Sequence, residues 1–452
     1  MRVPCHSELV CIAKPRSTMA EKVELSESDY PSSEALPPSY TADDAHGGSA
    51  EKPNRTRAAV VVAGGFIAYF VTFGLLNTFG TFETFYHDEL LHGYNPSTIS
   101  WIGSIQLFLL FIGGMFAGPA FDAFGARALF IPGSVIYVFS LMMTSLCKKY
   151  YQLILAQGIL YGIANAMLFY PTISTIQSWF SHHRGLATGI VISGSSIGGI
   201  VWPIIIQKLF NTIGFAWAVR TVGFICLALL IPASWFVVEK KSTGPKPPLP
   251  KDAFSAPFKD GMYLITTAAF FFVFWGMFLP FYYLPTYGLS HGMSKDGANY
   301  LLAYLNAGSF FGRLLSGWMA DRVGPFNISI ICSTVAGILA LGLYANQEDY
   351  SLAGTVTFSV LFGLFSGGLI SLQATCVTRI TPILNVIGLR IGLMLSVCSL
   401  GALTGAPLGG ALLSDRNDWD GFLGFTAASL LFGALLTVWA RFKGDKRLVA
   451  AF

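Results

Sequence analysis

Gly308-Ser-Phe-Phe-Gly-Arg-Leu-Leu-Ser-Gly-Trp-Met-Ala-Asp-Arg-Val-Gly324 decides how the chain is read. It begins inside an apolar segment and ends in a tight charged turn, so it sets Arg313 where hydrocarbon is expected. A charge near a bilayer centre costs roughly 2.5–3.5 kcal/mol on insertion scales, and such a residue marks a functional site by default. The closing turn, Gly317-x3-Asp321-Arg322-x-Gly324, has a copy half a chain earlier: Gly118-Pro-Ala-Phe-Asp122-Ala-Phe-Gly125-Ala-Arg127. Each copy of Gly-x3-Asp-x2-Gly follows a long apolar segment. A duplicated helix–turn–helix signature at that spacing implies two similar membrane halves.

Composition bounds the class in the same direction. Hydrophobic residues make up 53% and charged residues 12%, where a soluble domain carries roughly 25% charged. So much apolar surface needs the lipid bilayer as part of its solvent. The net charge of +4 comes from basic residues at helix ends and tails, not from one patch, so no nucleic-acid partner is expected. The 7 Cys show no CxxC pair. Most lie in apolar segments, where a free thiol packs as a small hydrophobe; neither a disulfide nor a metal site is expected.

Residues 1–56 are polar and lack apolar periodicity, so they read as a disordered tail. Apolar segments then recur at about 58–82, 98–120, 128–146, 152–175, 185–209, 216–238, 262–284, 297–319, 328–345, 351–377, 387–412 and 420–440. Each reaches or approaches the ~20 residues that cross the hydrocarbon. The fold expected is all-α: twelve transmembrane helices in two pseudo-symmetric six-helix bundles, 57–238 and 261–440. A basic, proline-rich linker, 239–260, joins them, and 441–452 is a tail. Lys and Arg concentrate on one side (Arg55, Arg57, Arg127, Arg184, Lys240, Lys241, Arg322, Arg379, Lys443). That bias puts both termini and both duplicated turns in the cytosol.

At this point the residues resemble a known family. The two turns are similar to the signature turns of the major facilitator superfamily. Finer features resemble its monocarboxylate-porter branch, in the form abundant in filamentous fungi. These are Gly74-Leu-Leu-Asn-Thr-Phe-Gly-Thr-Phe82, Ser100-Trp-Ile-Gly-Ser-Ile-Gln106, Trp179-Phe-Ser-His-His-Arg-Gly-Leu-Ala-Thr-Gly189, Gly194-Ser-Ser-Ile-Gly-Gly199 and Gly312-Arg313-x3-Gly317-x2-Ala-Asp-Arg322. The resemblance implies two bundles around a central cavity, rocking by alternating access. It also implies a small carboxylate moving with a proton. The chain departs from the animal members: Asn77 stands where they carry lysine, Ser309 where they carry aspartate, and Ala63-Gly64-Gly65 replaces the usual Asp-Gly-Gly. Many fungal relatives move larger or unrelated solutes. By the same resemblance, each duplicated turn latches on a helix of the opposite half.

Asn306, Ser309 and Arg313 fall at i, i+3 and i+7, one polar stripe on the eighth helix. Facing a cavity, the guanidinium can bind a carboxylate in two-pronged fashion; the alternatives are a structural salt bridge or a snorkelling side chain. Asn77, Thr81 and Thr84 form a similar stripe on the first helix, as cavity wall or as interhelical hydrogen bonds. Asn165 on the fourth helix and Gln373 on the tenth could line the path or pack in the core. Glu83, the carboxylate inside a span, is the candidate proton carrier; the alternative is an interfacial acid in water. In the turns (Gly118, Asp122, Gly125, Arg127; Gly317, Asp321, Arg322, Gly324) the carboxylates can take helix amino-terminal N–H groups or pair with Arg127, Arg322, Arg184 or Arg390.

The reading is a monomeric transporter, secondary active or facilitative and not an enzyme, carrying a small organic anion or related metabolite. Export of a secondary metabolite or a vitamin-type carrier is the alternative, and a transporter-like nutrient sensor a further one. No ATP-binding motif occurs, so gradients drive it and no cofactor is expected. The plasma membrane is the expected site, with a vacuolar or endosomal membrane as the alternative.

Overall fold

The computed structural model describes residues 55–94, 96–180, 183–239, 253–345, 351–381, 386–416 and 419–444. The amino-terminal tail, nearly all of the basic linker and the last residues of the carboxy-terminal tail lie outside them.

Among the described residues, 10 helices are long and apolar enough to cross a membrane. Two further passes complete the expected twelve. The 53-residue run Arg184–Phe236 turns a corner at Gly214, where φ is 74° and ψ 166°, and so makes two passes. Lys295–Val323 has the length, 29 residues, but its polar residues, Asn306, Ser309 and Arg313 among them, make it less apolar than the others. The helices are α1 (Arg55–Leu90), α2 (Thr98–Phe124), α3 (Ala126–Thr144), α4 (Tyr150–Trp179), α5 and α6 (the two arms of Arg184–Phe236) and α7 (Gly261–Ser290). Then come α8 (Lys295–Val323), α9 (Pro325–Ala345), α10 (Leu352–Arg379), α11 (Ile387–Arg416) and α12 (Trp419–Gly444).

Glycines decide which helices touch, because backbones approach closely only where side chains are absent. In the first half, Gly194 and Gly198 set α5 on the carbonyls of Phe66 and Phe70 in α1. In the second half, Gly401 and Gly405 set α11 on the carbonyls of Phe271 and Trp275 in α7. The same helices use an earlier glycine pair across the seam. Gly185 and Gly189 lie on the carbonyls of Gly317 and Arg313 in α8; Gly388 and Gly392 lie on those of Gly118 and Gly114 in α2. Each of α5 and α11 therefore presents one small-residue step to its own half and one to the other.

Three helices are interrupted where the sequence reads as continuous; one is α2, at Gly113, between Ile112 and Gly114. In α1, the helix stops at Leu76, resumes at Phe79, and passes into a π-turn at Tyr86–Leu90. The Thr78 N–H reaches back three residues, to Leu75 O at 3.0 Å. Its hydroxyl donates to Gly74 O at 3.1 Å. Asn77, Thr81 and Thr84 thus do not form the single stripe expected of an unbroken helix. The corresponding helix of the second half, α7, is interrupted at Phe278, between Gly261–Met277 and Leu279–Ser290.

Candidate functional site

The carboxylates of the two duplicated turns bind backbone N–H groups. Asp321 accepts from the N–H groups of Gly185 (2.7 Å) and Leu186 (2.9 Å), at the start of α5. Asp122 accepts from Gly388 (3.2 Å) and Leu389 (2.8 Å), at the start of α11. A carboxylate at a helix amino terminus meets unsatisfied N–H groups and the positive end of the dipole. Each bracket joins one half of the molecule to the other. Gly125 and Gly324, with φ of 87° and 98°, end the turns in a left-handed conformation that suits glycine.

Three of the arginines expected as partners for these carboxylates have other contacts. Arg390 pairs with Asp260 at 2.7 Å and donates to Ile380 O at 2.9 Å. Arg184 donates to Phe180 O at 2.5 Å. Arg322 sits 3.9 Å over the ring of Trp318. Arg127 is exposed. A sequence signal for the true partners exists. Gly185-Leu-x2-Gly189 and Gly388-Leu-x2-Gly392 are themselves a repeat, and their Gly–Leu N–H groups are those the carboxylates hold.

Arg313 lies in the same seam, fully buried. One nitrogen donates to Ile192 O at 2.8 Å and to the Ser195 hydroxyl, both on α5 of the opposite half. Nε and the other terminal nitrogen are buried with no partner in the protein. Among the described residues no carboxylate pairs with it. The Tyr69 phenol on α1 stands within its electrostatic reach. A guanidinium held by neutral dipoles, with donors left over, is an unusual use of buried charge.

The expected stripe around it divides. Asn306 faces Gly199 on α5, as Arg313 faces Ser195. Ser309 is turned against Gly367 of α10, inside its own half, and does not join Arg313 at the seam. Asn165 is buried and donates to Tyr161 O in its own helix at 3.0 Å. Both amide atoms of Gln373 are buried without a protein partner. Asn77 sits at the break in α1, its amide nitrogen likewise unpartnered.

Next to this polar group is an aromatic cluster that composition alone did not single out. Tyr69 meets Phe169 at 5.1 Å, and Phe169 meets Phe111 at 6.2 Å. Phe111 crosses to the other half, 5.3 Å from Phe274 and 6.3 Å from Phe278. The cluster reaches the break in α7 at Phe278. Broken helices at the meeting of two repeats are where transporters place solutes. Farther along α1, toward the end opposite the turns, Glu83 is half-buried. It interacts electrostatically with His87 and, across the seam, with Tyr282 and Tyr283 of α7.

Comparison with known proteins agrees with this architecture. The family model described as Major Facilitator Superfamily matches residues 61–382. The MFS-type transporter pynF of Aspergillus niger is 50% identical over 432 residues, covering 95% of this chain and 97% of its own. The aspyridones efflux protein apdF of Emericella nidulans is 41% identical over 403 residues, 88% of this chain and 80% of its own. Among solved structures, the proton:xylose symporter XylE superposes with a TM-score of 0.66 at 14% identity, covering 87% of this chain and 96% of that one. At that identity the likeness shows the fold alone. With twelve passes and a family match over most of its length, the chain belongs to the major facilitator superfamily and is a multi-pass membrane transporter.

Proposed function

We propose that this transporter exports a secondary metabolite of the fungal type, with Arg313 as the anchor for an anionic group of that solute. The observation that carries the anchor is the buried guanidinium with donors to spare and no carboxylate partner among the described residues. A charge in that state is stabilised by an incoming anion, and a planar fork suits a carboxylate or an enolate. The direction rests on relatives such as the aspyridones efflux protein; it favours export over the uptake of a small carboxylate. The aromatic cluster of Tyr69, Phe169, Phe111 and Phe278 supports a bulky, partly unsaturated solute. The motifs shared with monocarboxylate porters support a place in that branch, with the lysine and aspartate of its lactate carriers replaced by Asn77 and Ser309.

In this reading the two turns are cytosolic, and the two Asp brackets hold the cytosolic side shut. Solute enters when they release, and leaves at the Glu83 end. Glu83 is the proposed proton-coupling group. The test is untargeted comparison of metabolites in cells and medium between a deletion strain and its parent. Export predicts an acidic metabolite that accumulates in the cells and falls in the medium. Restoring the gene reverses the change, and restoring it with Arg313→Lys does not. Identical partition in both strains would overturn the proposal.

A further inference from the structure

On the outer surface, an apolar groove of about 360 Å³ runs between α7 and α11. Its floor is two helical stripes, Leu264, Ala268 and Phe271 on α7 and Leu393 and Val397 on α11. These lie at i, i+4 and i+7 spacing, so each helix lines the groove along one face. Phe258 closes one end. It belongs to a one-turn helix, Ala256–Lys259, that precedes α7. Phe254 and Phe258 there are 50% and 53% exposed. Aromatic side chains so placed beside a membrane helix sit at headgroup depth.

The same end of the groove is cationic. Lys259 is exposed on the one-turn helix. The Lys443 ammonium, from the end of α12, lies over Gly261, the first residue of α7. The acid between them, Asp260, is paired with Arg390 at 2.7 Å. Two ammonium groups therefore remain at the mouth of a slot that can take hydrocarbon and little else. Basic pockets between transmembrane helices are suited to anionic lipid headgroups.

We propose that this groove binds an anionic phospholipid of the bilayer, one acyl chain between α7 and α11 and the headgroup between Lys259 and Lys443. The occupant is a membrane lipid and not the transported solute, because the groove opens sideways and lies apart from Arg313. The site has a mechanical connection to the seam. Tyr263, at its rim, donates to Arg390 O at 2.7 Å. The preceding residue, Leu389, gives its N–H to Asp122 at 2.8 Å. Leu393, on the groove wall, follows Leu389 by one turn. A chain wedged against Leu393 holds the start of α11 where the bracket to Asp122 needs it.

The test uses the full-length protein in nanodiscs of phosphatidylcholine, with and without phosphatidylinositol, followed by thermal unfolding. Native mass spectrometry reads the bound lipid directly. The wild type is expected to unfold at a higher temperature with phosphatidylinositol and to retain it on ionisation. Both effects are expected to fall by at least half in Lys259→Gln/Lys443→Gln, whose changes are on the surface and leave folding intact. Ala268→Trp, which fills the groove, should lose them as well. An equal shift in wild type and the lysine double variant, or no shift in the wild type, would overturn the site. Neither result depends on which solute is carried or in which direction.

Discussion

At Arg313, charge and geometry ask for different substitutions. The side chain spends one nitrogen on Ile192 O and Ser195 and keeps two nitrogens in reserve. Lysine would keep the charge and lose the fork. If a solute anion takes the reserved donors, Arg313→Lys loses at least one charge-assisted hydrogen bond, about 1.5–3 kcal/mol. Export should then slow about ten- to hundredfold, at unchanged surface level. Efflux from preloaded cells, normalised to a fluorescent tag, measures this; near-normal efflux would rule out anion contact. Arg313 was legible in the sequence because a cation in an apolar helix has few bland explanations. Tyr69 and Ser195 were not. A tyrosine or a serine in a membrane helix looks like any other, and only the approach of α1 and α5 to α8 makes these two neighbours of the charge. Ser309 shows the same limit from the other side. Its spacing from Arg313 put it on the stripe, but the close fit of α8 against Gly367 turned it inward.

The brackets are best tested as elements, since each is a turn on one helix pair held by the start of another. Asp321→Asn leaves one acceptor oxygen and sets an amide donor against the N–H groups of Gly185 and Leu186. The loss should be about 1–2 kcal/mol, the worth of an anion at a favourable helix amino terminus. That shifts the ratio of open to closed seam roughly five- to thirtyfold. Asp122→Asn should act alike at Gly388 and Leu389. Spin labels at the exposed positions Phe124 and Val323, one on each half, give the readout. Distances between them should lengthen in each variant, and a distribution matching the parent would refute the bracket's role. Gly317→Val should open the same seam by another route, because a side chain there meets the Gly185 backbone. The repeat of Gly-x3-Asp-x2-Gly announced these elements from the sequence. Of its partner strings, Gly185-Leu-x2-Gly189 was read as a family feature, but its repeat at Gly388-Leu-x2-Gly392 and its pairing with the carboxylates showed only once the helices were seen to cross. The breaks at Asn77 and Phe278 were hidden for a physical reason. The flanking residues stay apolar on both sides, and the interruption in α1 shows only as a local tightening of the ladder, where the Thr78 N–H donates to Leu75 O.

At the scale of the molecule, the described arrangement is shut at the end that carries Asp122 and Asp321, where glycine steps bring α5 to α8 and α11 to α2. A carrier that alternates must close the other end when this one opens. The groups placed to meet there are Glu83 on α1 and Tyr282 and Tyr283 on α7, which sense one another across the seam. They follow the breaks at Asn77 and Phe278, so the segments beyond the breaks can swing while the segments nearer the Asp122 and Asp321 end stay docked. Tyr282 lies near that carboxylate, and a phenol brought against it by the swing can donate a hydrogen bond. Cysteines placed at Glu83 and Tyr282 should therefore cross-link slowly in the parent background. They should cross-link faster once Asp122→Asn and Asp321→Asn release the opposite end. The cysteine at 83 removes the acid, so a second measurement isolates its chemistry. Glu83→Gln, with cysteines absent, should flatten the dependence of export on external pH while the protein still reaches the membrane. Cross-linking that ignores the state of the brackets would break the coupling between the two ends. An unaltered pH profile in Glu83→Gln would leave the segments beyond the breaks as a gate but remove the proton from it.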